Sequence, residues 1–257
     1  MAWARVEVNT EPYVDPNGIY DRLNILKARE PSGSLGYDYI ALKNMHGGPV
    51  IIDTDGAVRW VGPAIGDSTS TAFLDNGFEI GSQDSTVLTR NELDGTVGQV
   101  TLAATDDLNF HHNIDAGKAR PLVEVDHLVD GVKRIESKLA EVSAAGAEVR
   151  EWDLDSILSD YMRSHGDDPS AFVRPDVDWF HMNTAIYDPR DDTVIVSSRE
   201  NFVVKLDYQT GNIVWIFGDP TKYWYTFASL RDKAVLLPRM SCIRSVSTPC
   251  RSPPPAS

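Results

Sequence analysis

Four times along this chain an apolar run meets a glycine-bearing turn, and a second run follows. The segments are VIIDTDGAVRW (50–60), RNELDGTVGQV (90–100), VSAAGAEVREW (142–152) and VVKLDYQTGNIVW (203–215). Each reads as a β-hairpin, with Gly56, Gly95, Gly146 and Gly211 supplying the positive φ that tight turns require. In three of them a tryptophan lies in the second strand (Trp60, Trp152, Trp215), where it is expected to pack between neighbouring sheets. The glycines are 39, 51 and 65 residues apart, and the first interval matches one four-stranded propeller blade of roughly 40 to 45 residues. The fold class is therefore read as all-β, an array of about four propeller blades. A two-sheet sandwich is the alternative, and it explains the repeated glycine and tryptophan poorly.

The longest interval contains an insertion with a helical period. Leu154, Ile157, Leu158, Tyr161 and Met162 fall at i, i+3, i+4, i+7 and i+8. Asp153 or Asp155 is placed to cap its start and Gly166 to close it. Shorter alternating runs at Tyr37–Leu42, Thr71–Leu74, Thr86–Thr89, Leu122–Val125 and Val194–Val196 read as strands. Asp75-Asn76-Gly77 and Asp130-Gly131 read as the turns between such runs. Three regions follow: 1–34 as an N-terminal β segment, 35–238 as a partial propeller, and 239–257 as a disordered or non-native tail. That tail carries three arginines, four prolines and five serines, with no acidic residue. It also holds both cysteines, Cys242 and Cys250, whose spacing suits no metal.

The net charge of −14, with 24 basic against 38 acidic residues, argues against a nucleic-acid partner. No apolar run approaches the roughly 18 to 20 residues that span a bilayer, and the start MAWARVEVNTEPY lacks the apolar core of a secretion signal.

Six histidines are present: His46, His111, His112, His127, His165 and His181. His165 sits at the end of the inserted helix, His46 in a glycine-rich turn, and His127 near a strand end; structural roles are expected for these three. NFHHNID (109–115) and DWFHMN (178–183) are different, since each places an aromatic, a histidine and an asparagine where a new blade begins. Strand alternation puts His111 and His112 on opposite faces, so that one of them looks into a central channel. A hairpin through Asp188–Asp192 would return Arg199 to the end of the strand that starts at His181. Imidazoles, the amide of Asn183 and the guanidinium of Arg199 suit transfer of a sulfuryl or phosphoryl group. No metal-ligand spacing is visible, Asp53-Thr54-Asp55-Gly56 lacks the glutamate of a calcium loop, and neither a metal nor another cofactor is expected.

At these residues the chain resembles the bacterial arylsulfate sulfotransferases. DWFHMNTAIYDPRDDTVIVSSRENFVVKLDYQTGNIVWIFGDP is similar to their hallmark stretch, FHHNID to an upstream His-His motif, and VIIDTDGAVRW to an early blade. The resemblance implies a six-bladed propeller with a small N-terminal β domain, found in the periplasm or secreted. It implies sulfuryl transfer from a phenolic sulfate ester to a phenol, through a transiently sulfated histidine and without a nucleotide sulfate donor. His181 and Arg199 would bind and polarise the sulfate, with Asn183 assisting and His111 or His112 completing the pocket. The family's nucleophilic histidine lies later in the sequence than WIFG, and this sequence has no histidine after His181. A chain truncated before the nucleophile, inactive alone and self-associating through an open propeller edge, is thus expected. Two other readings are a quinoprotein-like oxidoreductase, suggested by LDYQTGNIVW, and a non-catalytic binding platform.

Overall fold

A four-stranded meander with one polar face cannot hold itself together in water, so each sheet must find a neighbour to cover it. The computed structural model describes residues 24–28, 30, 33, 35–43, 48–63, 70–174 and 177–236. Most of the 1–34 segment, the whole 239–257 tail, His46 and both cysteines lie outside the described residues.

The described residues form four antiparallel sheets, each with its strands in sequence order. The first holds β1 (Tyr39–Leu42), β2 (Val50–Asp53) and β3 (Val58–Val61). The second holds β4 (Ser70–Leu74), β5 (Gly77–Gly81), β6 (Val87–Glu92) and β7 (Val97–Thr101). The third holds β8 (Asp107–Ala116), β9 (Pro121–Val129), β10 (Val132–Val142) and β11 (Glu148–Asp153). Helix α1 (Leu154–Ser164) then leads into the fourth: β12 (Met182–Asp188), β13 (Thr193–Ser198), β14 (Phe202–Asp207) and β15 (Ile213–Gly218). A short helix α2 (Ala228–Asp232) follows, and at the edge of β15 Val235 N–H donates to Ile216 O while Ile216 N–H donates to Lys233 O. No helix among the described residues is long and apolar enough to cross a membrane.

The last hairpin of every sheet is built alike. Gly56, Gly95, Gly146 and Gly211 all have φ between 71° and 89°. In each case the glycine N–H donates to the carbonyl three or four residues back, of Asp53, Glu92, Ser143 or Asp207. Side-chain oxygens reinforce the turns: Asp53 Oδ1 accepts from Ala57 N at 2.8 Å, and Asp207 Oδ1 from Thr210 N at 2.7 Å. At Gly146 there is a second constraint, because a Cβ there would lie 2.2 Å from the carbonyl oxygen of Thr101 in the neighbouring sheet. That contact is closed by Ala103 N–H donating to Gly146 O at 2.8 Å.

Two buried clusters lie on the two faces of the third sheet. Leu88, Leu102, Phe110, Ile114, Val123, Val125, Ala140 and Val142 fill the space toward the second sheet. Leu122, Leu139 and Trp152 join α1 and the fourth sheet in the larger cluster. Neighbouring residues of β9 thus enter different cores, which is why that strand is buried along nearly its whole length. Trp152 meets Tyr208 edge-on at 5.3 Å, and Trp60 stacks on Phe78 at 5.4 Å while its N–H reaches Leu93 O. Those two tryptophans lock adjacent sheets as expected; Trp215 lies half-buried on β15, the last strand of the fourth sheet.

Helix α1 follows the expected periodicity and buries Leu154, Leu158 and Met162. Asp153 is its cap, accepting from Asp155 N and Ser156 N. Asp155 instead turns inward, where its Oδ1 accepts the indole N–H of Trp179 at 2.6 Å. Burial pushes its carboxyl up to about 6, and the Trp179 hydrogen bond and Arg134 only partly oppose this.

Two expectations follow. Gly146→Ala, strained by both φ and the Thr101 approach, should cost about 2 kcal/mol or more, whereas Gly95→Ala, with open space around it, should cost about 1 kcal/mol. Paired thermal melts test the difference, and equal melting temperatures would contradict the close approach. Because the folded pKa of Asp155 is raised, its contribution to stability is complete below about pH 4 and is lost as pH rises through about 6. Asp155→Asn keeps an oxygen for Trp179 and removes the titration. Its stability relative to the parent should rise by on the order of 2 kcal/mol between pH 4 and pH 7 in denaturant titrations.

Candidate functional site

The first strands of three successive sheets, β4, β8 and β12, pack beside one another in that order. The histidine motifs lie on two of them. β8 and β12 are joined through Asp115, whose Oδ2 accepts from Thr184 Oγ1 at 2.8 Å, Asn113 Nδ2 at 3.1 Å and Ala185 N at 3.2 Å. Burial pushes the Asp115 carboxyl up despite these three donors. The junction brings His111 and His112 of β8 against His181, which immediately precedes β12.

All three imidazoles gather around one carboxylate. His111 Nδ1 lies 2.9 Å from Glu136 Oε1, while His112 Nε2 and His181 Nδ1 lie 3.0 and 2.9 Å from Oε2. His181 Nδ1 is also 2.5 Å from Asp178 Oδ2, and its ring centroid is 4.7 Å from that of His112. Behind His111, Asp126 is completely buried. Its Oδ2 meets His111 Nε2 at 3.1 Å and Lys133 Nζ at 2.6 Å, and its Oδ1 accepts the Glu136 N–H at 2.9 Å.

The backbone is bent to make this possible. β8 loses register between His111 and Ile114, β10 between Arg134 and Lys138, and β12 between Met182 and Thr184. His112, Glu136 and His181 have φ of 39°, 50° and 50°. The other non-glycine residues at positive φ are aspartates and an asparagine in turns, which tolerate it. Histidine shares some of that tolerance and glutamate does not, and strain of order 1–3 kcal/mol is retained where a site requires it. The bulge corrects the expectation that His111 and His112 face opposite ways: with His112 in left-handed geometry, both rings reach Glu136.

Burial alone would lower the His111 pKa, but Asp126 and Glu136 outweigh it and raise the group to about 9. Burial alone would raise Glu136, and hydrogen bonds from His111 and His112 bring it down to about 2. Glu124, fully buried near Asp115 and Glu136, is held well above the carboxylate range, first by desolvation and then by those charges.

Arg199 returns to the end of β12 as the hairpin demands, and its N–H donates to His181 O at 2.9 Å. Its guanidinium, however, pairs with Glu200 at 3.0 Å and is 57% exposed. The chain bends at both residues, so cross-strand neighbours no longer project side by side. Asn183 sits half-buried at the β12 bulge. His127 is buried within β9, and His165 caps α1, its Nδ1 close to Tyr161 O and Ser164 Oγ; neither joins the cluster. Glu136, Asp126 and Asp178 were not singled out from the sequence. Asp178 stood three residues before His181, and Asp126 alternated with the apolar Val123 and Val125 in a strand of buried character. Nothing in VKRIESKL marks Glu136.

A cleft of about 670 Å³ opens elsewhere, between the second and third sheets, lined by Glu79, Arg90, Glu92, Lys118 and Arg120 among others. Arg90 is already committed there to Glu79, Glu92 and the carbonyls of Leu74 and Asp75. No histidine lines that cleft.

Residues 10–238 match the family model for arylsulfotransferase (ASST). The chain belongs to that family, a class whose substrates are aryl sulfates. No curated protein matched the sequence.

Thr184→Val removes the hydroxyl that links β12 to Asp115. It should lower stability by about 1–2 kcal/mol, and Thr184→Ser should retain most of it. Denaturant titration of the two variants decides this; a loss in Thr184→Ser larger than in Thr184→Val would show that the methyl group and not the hydroxyl matters.

Proposed function

We propose that this chain binds phenolic sulfate esters at the His111–His112–His181 cluster, and that the cluster serves sulfuryl transfer to a phenol without a nucleotide sulfate donor. One observation carries the reading: two motifs far apart in sequence deliver three imidazoles to one carboxylate, Glu136, with two of the rings partly exposed, in a member of an arylsulfotransferase family. The four meanders are read as propeller blades whose first strands line a hub, which puts the cluster at the axis. The family's location outside the cytoplasm is taken over with this reading, as is self-association along an open sheet edge.

The chemistry follows from the groups present. A sulfuryl group gains negative charge on its oxygens while the bond to the phenolic oxygen breaks. Imidazole N–H groups and the Asn183 amide can donate to those oxygens. Arg199 reaches them after exchanging Glu200 for the ester, a swap of one oxyanion partner for another. The family's step through a sulfohistidine needs an imidazole nitrogen that attacks sulfur as the phenolate leaves, followed by attack of the acceptor phenol. All three clustered imidazoles already contact carboxylates. We therefore read this chain as competent to bind the ester and slow or inactive in turning it over alone.

The quinoprotein reading loses its support in the structure of LDYQTGNIVW. Asp207 and Thr210 are used within the turn, where Asp207 Oδ1 accepts from Gln209 N, Thr210 N and Thr210 Oγ1. The motif builds a hairpin, and its polar side chains are used in the turn.

Titration with p-nitrophenyl sulfate, followed by calorimetry, should show binding that weakens roughly tenfold or more in His181→Ala and in Arg199→Ala. Nitrophenol release with added phenol should stay near background. Rapid release would overturn the inference that no clustered imidazole is free to attack. Absence of binding would overturn the sulfate reading and leave the binding platform.

A further inference from the structure

We propose that His111, His112 and Glu136 form a binding site for a divalent transition-metal ion, with zinc as the best match. The site goes beyond the sulfate reading, and rests on it only for the role given to the ion below.

His111 Nδ1, His112 Nε2 and the Glu136 carboxylate lie within 4.8 Å of one another. The two nitrogens stand 2.9 and 3.0 Å from the Glu136 oxygens. An ion held at about 2.1 Å by each ligand puts neighbouring ligand atoms roughly 3.0 to 3.4 Å apart, which the nitrogen–oxygen distances already match. Two imidazoles and one carboxylate are a borderline donor set, suited to zinc and to iron or manganese, and unsuited to magnesium or calcium, which prefer oxygen.

The surroundings of His111 are those of a metal ligand. Its remote nitrogen, Nε2, faces Asp126 at 3.1 Å, and Asp126 is itself fixed by Lys133 and by the Glu136 N–H. A carboxylate behind an imidazole sets its tautomer and aims the other nitrogen at the metal. With the Nε2 proton directed to Asp126, Nδ1 is the nitrogen that faces Glu136, and a metal ion would take the place of the proton these two atoms share. The side chains of His111 and His112 are 25% and 32% exposed, so a coordination position faces solvent, as in catalytic and not structural zinc sites.

A second, independent observation lies beside the trio. His181 Nδ1 stands within hydrogen-bond distance of two carboxylates at once, Glu136 and Asp178, although one N–H can serve only one of them well. Its Nε2 is buried with no hydrogen-bond partner, in a side chain 8% exposed whose ring packs against His112. Glu136, Asp178 and His181 form a second group with ligand spacing that shares Glu136 with the first. Glu136 is thus common to both groups, and the shared carboxylate is the residue on which binding depends.

The ion also answers an electrostatic difficulty. The cluster presents Asp126, Glu136 and Asp178, while the Arg199 guanidinium is turned toward Glu200. A sulfate ester brought to such a pocket meets carboxylates. A divalent cation reverses that local sign and offers a Lewis acid to the sulfuryl oxygens. The ligands come from two strands, β8 and β10, which is why no ligand spacing was legible in the sequence.

The test uses the full chain, stripped with a chelator and dialysed into a non-chelating buffer, then titrated with zinc chloride by calorimetry with the metal content counted by mass spectrometry. One zinc per chain is expected, with Co²⁺ giving visible d–d bands and Mg²⁺ giving no response. Glu136→Gln and His112→Ala should each weaken binding about tenfold or more, and His165→Ala should leave it unchanged. Circular dichroism checks the fold of each variant. Should Glu136→Gln fail to fold, Asp126→Asn, which keeps all three ligands, should still weaken zinc binding about tenfold. Absence of stoichiometric zinc, or binding indifferent to Glu136 and His112, overturns the site. Zinc bound by a chain that ignores p-nitrophenyl sulfate supports the site while rejecting the sulfate reading. Sulfate-ester binding in chelator by a chain that takes no zinc does the reverse.

Discussion

Burial of the third sheet on both faces is the constraint from which the rest of this structure follows. Leu122 and Leu139 face one core, and Val123, Val125, Ala140 and Val142 face the other. A polar group in such a sheet is costly unless it finds a partner inside the protein. Lys138 shows how completely this can be done: its ammonium, almost fully buried, meets Asp107 and Glu148 and also reaches Glu151. Asp126 and Glu136 belong to the same sheet, and their partners are the lysine and the histidines of the candidate site. The site is thus the place where a doubly covered sheet disposes of its buried charge.

That arrangement requires the ladder to fail locally. A regular strand would alternate His111 and His112 across the sheet and leave Glu136 in register with β9. Instead the β8 and β10 ladders each skip residues, and the backbone adopts left-handed conformations at His112 and Glu136. The neighbouring sheet contributes His181 with the same distortion. Such strain persists only when the surroundings over-determine it. Here the Asp115 junction and the two hydrophobic cores hold the strands in place, while the carboxylate–imidazole contacts reward the bent geometry.

The acidic character of the chain acquires a local meaning in this setting. A net charge of −14 removes nucleic acid from the partners expected of it, yet the family to which the chain belongs acts on anionic esters. An acidic protein can bind an anion only through locally concentrated positive charge. Its imidazoles and Lys133 gather on Asp126 and Glu136, and the proposed cation at Glu136 would add to them.

Much of the architecture was legible in the order of residues because it is local. Glycine at four hairpin positions, the period of α1 and its Asp153 cap, and tryptophans two or more residues beyond the turn depend on backbone sterics and nearest neighbours. So does the recurrence of an aromatic, a histidine and an asparagine at the start of two sheets. Glu136, Asp126 and Asp178 were silent because a carboxylate in a strand has no motif of its own; its meaning comes from what faces it across sheets. Strand alternation misled for His111 and His112, since a bulge is a compromise between ladder and core that only packing decides. The hairpin correctly returned the backbone of Arg199 to His181, whereas the direction of its guanidinium was left to the bend at the strand end and to Glu200. Sequence alone determined which turns and strands form, because those choices are made within a few residues. Tertiary structure decided which side chains share a pocket, because that depends on how separately folded sheets bury one another.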